Sequence, residues 1–126
     1  MSSSITTDCP FCTLPPMRIV HANHLAVVIR DAYPVSRGHT LVLPKRHVGS
    51  FFDLVQAERD AVLELLDVAR RDLDQALRPD GYNIGINDGS AAGQTVPHLH
   101  MHLIPRYNGD QVDPRGGVRW IFPERA

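Results

Sequence analysis

Val96-Pro97-His98-Leu99-His100-Met101-His102-Leu103-Ile104 sets three histidines at every second position, with Leu99, Met101 and Leu103 between and after them. Successive side chains of a β-strand point to opposite faces. The run therefore predicts a strand over 99–104 that buries Leu99, Met101 and Leu103 and turns the imidazoles to the other side. The chain holds seven histidines, and three at alternating positions arise in roughly one random shuffle in fifty. Two plainer readings stand beside a catalytic one: a half-buried strand whose polar face is histidine, and a metal ion shared by two members of the row. One ion on all three is disfavoured, because at a rise of ~3.3 Å per residue the outer pair lies about 13 Å apart.

Immediately upstream, Asn87-Asp88-Gly89-Ser90-Ala91-Ala92-Gly93-Gln94-Thr95 offers glycines that let backbone N–H groups approach a ligand, with amide and hydroxyl donors beside them. Phosphate suits such a loop, and a neutral imidazole nitrogen is available near pH 7 to attack phosphorus and to leave it again. Alone, the loop reads as a hairpin turn; the histidines that follow give it weight.

Before the loop, 82–87 alternates as a strand. From about 52 to 77, Leu54, Ala61, Leu65, Val68 and Leu73 recur near helical spacing, with Glu58, Arg59, Asp60, Arg70, Arg71 and Asp74 on the other face, until Pro79 and Gly81 stop the helix. Runs at 24–29 and 40–43 read as short strands around a turn at 31–38 that contains Pro34 and Gly38. The class is α+β: one long helix against an antiparallel sheet. Residues 1–7 are Ser/Thr-rich and read as a disordered leader, 8–108 as the domain. The tail at 109–126 is loop-like, yet Trp120, Ile121 and Phe122 are too apolar to float, so it is expected to dock on the body or on a partner chain.

At 126 residues and 43% hydrophobic the chain suits one core. A net charge of -1 with 6% aromatic residues argues against a nucleic-acid surface. No apolar run reaches the ~18 residues of a membrane helix and no signal peptide opens the chain, so a soluble cytoplasmic protein is expected. Cys9-Pro10-Phe11-Cys12 has metal-binding rather than disulfide spacing, although two thiols make only half a zinc site and two small core cysteines would look the same.

The run His98-Leu99-His100-Met101-His102-Leu103-Ile104 resembles the signature of the histidine-triad (HIT) family. The resemblance extends through Asp31, Gly38-His39-Thr40-Leu41-Val42-Leu43-Pro44-Lys45-Arg46-His47, the helix, and 87–106, roughly residues 8–107 in all. It implies a HIT-like fold with a sheet of about five strands and one long helix, extended across a homodimer. It implies that His100 becomes transiently nucleotidylated, while His102 and the backbone around Gly93, Gln94, Thr95 and Val96 hold the phosphate. Asp31 would bind the ribose hydroxyls, for which a carboxylate is a suitable double acceptor, though a turn-capping aspartate is the plain alternative. Asn87, Gln94 and Thr95 match positions that touch the α-phosphate or ribose, Phe11 and Ile29 the apolar base pocket, and His39 a supporting histidine near the site. A zinc-binding subset of the family adds one structural zinc per chain on Cys9, Cys12, His47 and His98, a closed tetrahedral set with no place for water.

The implied activity is hydrolysis at the α-phosphate of a dinucleoside polyphosphate such as a diadenosine polyphosphate, with a purine nucleotide as substrate. A nucleoside phosphoramidase of the same family is the runner-up, and a non-catalytic nucleotide-binding adaptor the alternative of another class.

Overall fold

The structure, a computed structural model, describes residues 8–126; the leader expected at 1–7 lies outside them. Five strands, β1 (Ile19–Ala22), β2 (Ala26–Arg30), β3 (Thr40–Pro44), β4 (Gly81–Ile86) and β5 (Met101–Arg106), form one antiparallel sheet in the order β1-β2-β3-β5-β4. One long helix, α1 (Gln56–Leu77), packs on one face. Its buried apolar stripe of Val62, Leu65, Ala69 and Leu73 meets Ala26, Val28, Val42, Met101 and Leu103. The alternating residues Val27, Ile29, Leu41 and Leu43 fill the opposite face and are covered by Phe11, Leu14 and Ile19. Covered on both faces, β2 and β3 are the continuous apolar runs of the sequence.

The sequence expectation misplaces several boundaries, each for a local reason. β1 is missed, because Ile-Val-His-Ala is short and half polar. The strand expected from 24 starts at Ala26, since the Asn23 side chain accepts the N–H groups of Leu25 and Ala26 and makes that corner a turn. The helix expected from about 52 begins at Gln56: a short 3₁₀ turn, Phe51–Asp53, capped by Ser50, comes first, and Leu54 has extended ψ. The carboxylate of Glu58 accepts the Val55 N–H in place of a side-chain N-cap. Val68 is only half-buried; Val62 and Ala69 carry the stripe instead. The strand at 82–87 is shifted to 81–86.

The most informative shift concerns the histidine row, whose strand runs 101–106 rather than 99–104. β3 pairs with β5 through Thr40↔Leu103 and Val42↔Met101. The next rung would need Pro44, which has no N–H, and its carbonyl is taken by the His98 ring. The Leu99 N–H turns instead to the Val48 carbonyl. At the other end Pro105 continues the strand, because its donorless side faces past the start of β3, where Ser36 Oγ donates to its carbonyl. Gly38 closes the β2–β3 turn with φ +89, and a Cβ there would stand 2.7 Å from Leu77 and 3.0 Å from Leu73. Only a glycine lets this turn lie against the end of α1 and deliver His39 to the sheet.

Candidate active site and metal cluster

His100 and His102 lie on the sheet face away from α1, with ring centroids 5.1 Å apart. His98 does not share their surroundings: it is fully buried and belongs to a separate cluster. In that cluster the Sγ atoms of Cys9 and Cys12 and the Nδ1 atoms of His47 and His98 all lie within 4.8 Å of one another. The Cys9–His98, Cys12–His98 and Cys12–His47 separations are 3.4, 3.6 and 3.2 Å, and the two Nδ1 atoms are 3.3 Å apart. Bond lengths of ~2.3 Å to sulfur and ~2.05 Å to nitrogen at tetrahedral angles give edges of about 3.55 Å for S···N and 3.35 Å for N···N. The observed edges fit that tetrahedron.

Hydrogen placement supports the fit. His98 Nε2 is 2.8 Å from the Pro44 carbonyl, an acceptor only, so the proton sits on Nε2 and the Nδ1 lone pair points at the thiols. Burial lowers the His98 pKa, with the neighbouring His47 and His100 adding to it, so the ring is held neutral as a ligand must be. Burial raises the Cys9 thiol, helped by its contact with Cys12, and a cation would have to displace that proton. His47 is placed by the segment after β3, which Arg46 ties to α1 through a two-point contact with Glu58 at 2.8 Å each. Glu58 is 3% exposed. Neither Glu58 nor Arg46 stands out in the sequence as more than a charge on the helix face and a basic residue beside Lys45.

The second cluster is wired by protons. The backbone N–H of Val35 donates to His39 Nδ1 at 3.1 Å, so a neutral His39 carries its proton on Nε2. That Nε2–H faces His102 Nδ1 at 2.9 Å and Asp31 Oδ2 at 3.4 Å. Donation to His102 Nδ1 leaves His102 with its own proton on Nε2. His100 Nδ1 donates to the His98 carbonyl at 2.9 Å, which leaves the Nε2 lone pair free. Burial lowers the pKa of both His39 and His102; His100 and His39 lower His102 further, and Asp31 works against the shift at both.

The remaining sequence candidates fall into place unevenly. Phe11 stands edge-on to His100 at 5.0 Å and to His98 at 5.9 Å, over the apolar cluster that includes Ile29. Ile29 is fully buried, so it is floor rather than surface. Asp31 is the turn cap that is its plainer reading: one oxygen accepts the Tyr33 N–H at 2.8 Å, while the other faces His39. Asn87 follows β4 directly, one position past the Ile86↔Met101 pair. The Gln94 side chain ties its loop to the segment after β3, donating to the Gly49 and Val96 carbonyls and accepting the Gly89 N–H. Gly93 adopts φ +93 at the end of a 3₁₀ turn, and among the described residues the backbone N–H groups of Thr95 and Val96 have no partner. Asp88, not singled out in the sequence, caps the Phe51–Asp53 turn through Ser50 Oγ and Phe51 N.

The HIT domain profile matches residues 15–109. The chain belongs to the HIT domain family. Cys9 and Cys12 lie ahead of that match, so the metal cluster joins a segment outside it to the histidine row. A HIT-like protein of Mycoplasma genitalium is 38% identical over 111 residues, covering 85% of this chain and 79% of the relative. An AP-4-A phosphorylase of Mycobacterium tuberculosis is 33% identical, over 86% of this chain and 59% of its own length. Among solved structures, a zinc-bound histidine triad family protein from Mycobacterium smegmatis shares 38% identity with a TM-score of 0.74, over 84% of this chain and 80% of that one. HIT proteins are typically nucleotide hydrolases or transferases. No helix among the described residues is long and apolar enough to cross a membrane.

Proposed function

We propose that this HIT protein is a cytoplasmic nucleotidyl hydrolase that acts at the α-phosphate of a dinucleoside polyphosphate through a covalent nucleotidyl-His100 intermediate. The observation that carries the reading is the hydrogen bond from His100 Nδ1 to the His98 carbonyl. It fixes the tautomer whose Nε2 lone pair is available and supports the positive ring formed on attack. In the first step the N–P bond forms and the bridging P–O bond breaks; its electron pair leaves with the departing nucleotide. In the second, water attacks phosphorus, the N–P bond breaks with its pair returning to Nε2, and the water proton passes to solvent or phosphate.

The Nε2–H of His102 and the unpaired N–H groups of Thr95 and Val96 are the donors this reading assigns to phosphate oxygens, where charge grows in the transition state. Asp31 takes the ribose, Phe11 lies against the base, Asn87 and Thr95 lie at the loop ends, and Gln94 acts by holding the loop. His39 is a positioning residue acting through His102. The name of the AP-4-A phosphorylase relative favours a polyphosphate over a phosphoramidate. Zinc on Cys9, Cys12, His47 and His98 would supply a cross-link between the N-terminal segment and the histidine row. Homodimerisation through β4 fits a strand that, among the described residues, pairs only with β5 and leaves Ile84 about half exposed.

His100→Ala is expected to cut turnover of diadenosine tetraphosphate at least about a thousand-fold while AMP still binds. A quenched wild-type reaction should show a nucleotide adduct on His100 by mass spectrometry. An adaptor would show neither turnover nor adduct, and near-wild-type rates in the variant would sink the mechanism.

A further inference from the structure

Both imidazoles of the metal cluster lead directly into the backbone that frames the 87–95 loop. His98 is followed by Leu99, and His47 by a strip of four residues, Val48, Gly49, Ser50 and Phe51. Each residue of the strip is bonded to the stretch 88–99. The Val48 carbonyl accepts the Leu99 N–H at 2.7 Å, and the Gly49 carbonyl accepts Gln94 Nε2–H at 2.9 Å. Ser50 Oγ and the Phe51 N–H donate to one and the same oxygen of Asp88, Oδ2, at 3.1 and 2.9 Å. Apolar packing runs alongside: Val48, Leu54 and Leu99 form a buried cluster, closed by Phe51 and by Ile86, the last residue of β4 before the loop.

The loop is therefore held at its two ends, by Asp88 near its start and Gln94 near its finish. Between them Ser90, Ala91 and Ala92 are exposed, and the flanking Gly89 and Gly93, at φ +94 and +93, would meet nothing within 4 Å even if each carried a Cβ. Packing of its own does not set the shape of this stretch; its anchors on the strip do. The first anchor of the strip is in turn His47, whose Nδ1 lies 3.2 Å from Cys12 Sγ and 3.3 Å from His98 Nδ1. Coordinate bonds from one ion to both rings fix His47 against His98, and with it the register of the strip against 88–99. Contiguous hydrogen bonds and packed side chains of this kind are what carries energetic coupling between two sites.

We propose that the metal cluster and the 87–95 loop are coupled through the strip 48–51, with Asp88 as the positioning residue that transmits the coupling. Zinc on Cys9, Cys12, His47 and His98 strengthens the binding of a nucleotide phosphate in the loop. By linkage the bound phosphate strengthens retention of zinc by the same factor. The proposal rests on the reading of the loop as the phosphate cradle of the His100 reaction, and it gives the metal cluster a part in substrate affinity beyond holding the N-terminal segment.

Two affinities test it on the full chain: zinc, by competition with a chromophoric chelator at buffered free zinc, and AMP, by calorimetry on the zinc-loaded protein. Saturating AMP should raise zinc affinity about tenfold, inside the usual range for coupled sites. Adenosine at equal occupancy, which brings the base without a phosphate, should raise it less than twofold. Asp88→Ala should weaken AMP binding about tenfold and remove the effect of AMP on zinc. Its zinc affinity without AMP should stay within twofold of wild type, which also certifies its fold. Asp88→Asn, whose amide oxygen can accept both the Ser50 and the Phe51 donor, should restore most of the coupling. Zinc affinity indifferent to AMP, an equal effect of adenosine, or an undiminished effect of AMP in Asp88→Ala would each overturn the coupling while AMP binding, and with it the reading of the loop, stands. A chain that takes up no zinc overturns the coupling alone; zinc-loaded protein that binds no AMP overturns both.

Discussion

The two ends of the histidine row are built from similar residues and wired in opposite ways. Around His98, the protons of the imidazole are turned outward, to the Pro44 carbonyl, and lone pairs and thiols converge on one point. Around His102, the backbone of Val35 occupies the far nitrogen of His39, and the proton is turned inward, between His102 and Asp31. The first arrangement gathers two thiols and two imidazole lone pairs and suits a cation. The second already contains a hydrogen and needs none, although its three side chains also bring ligand atoms within 4.8 Å of one another. Which nitrogen the surrounding backbone claims decides whether a cluster of histidines holds a metal or passes a proton.

The largest expected effect comes from emptying the first cluster. Cys9→Ala/Cys12→Ala should abolish stoichiometric zinc and lower Tm by at least about 10 °C, taking several kcal/mol for a structural zinc and a few degrees per kcal/mol in a domain of this size. Metal analysis of protein purified without chelator, beside a thermal melt, checks it. Zinc-free wild-type protein would break the comparison at its first term.

His39→Ala attacks the second cluster alone. It removes the donor that sets the His102 tautomer, so kcat should fall about a hundredfold, within the usual range for general acid–base groups, while zinc content stays at the wild-type level. The acid limb of the kcat/KM profile should move to higher pH, because His102 loses the neighbouring ring and part of the burial that hold its pKa down. A rate loss with an unmoved profile would make His39 a packing residue only.

Glu58→Gln tests a support shared by the metal cluster and the helix. The Arg46–Glu58 contact holds the segment that carries His47, and Arg46 depresses the Glu58 carboxyl below its usual value. Neutralising the buried carboxylate should cost about 2 kcal/mol, a figure kept low because the Arg46 side chain is 36% exposed and can turn to water. Zinc should exchange faster with a chromophoric chelator, while the hydrolysis rate of zinc-replete protein holds.

Much of this is legible in the sequence. Alternation at 98–104 correctly put Leu99, Met101 and Leu103 in the core, and the family resemblance named the four residues that the structure gathers into one cluster. What alternation could not show is that the row is not one strand. That depends on Pro44 standing where β3 would have to pair with Leu99: the β3–β5 pairing ends at Val42↔Met101, and the Pro44 carbonyl goes to the His98 ring, 54 positions away in the chain. Gln94 teaches the same lesson in reverse: an amide in a glycine loop looks like a phosphate donor, but its partners Gly49 and Val96 are fixed by the fold and use it up.

The smallest effect is a pH dependence confined to the proton-wired cluster. His39 and His102 have folded pKa values below the ordinary 6.5, with burial as the leading cause. Between the folded value and 6.5 the unfolded chain binds more protons than the native one, so stability rises with pH there. It is fully present above about 6.5, is lost as pH falls from 6.5 toward the folded value, and falls no further below it, with a slope of at most ~1.4 kcal/mol per pH unit for each group. Glu58 and Asp110, whose pKa values are depressed, stay ionised through this window and add no slope of their own. Guanidinium unfolding of the zinc-loaded protein at about pH 7.5, 6.5 and 5.5 should therefore show a decline that is shallower in His39→Ala, since one buried neutral imidazole is gone and the other is freer to protonate. Acidification also loosens the thiolate cluster, but that contribution is common to both proteins and drops out of the difference between them. Parallel declines in wild type and variant would assign the whole pH response to the metal cluster and leave the His39–His102 pair without the buried, neutral character on which its proton wiring depends.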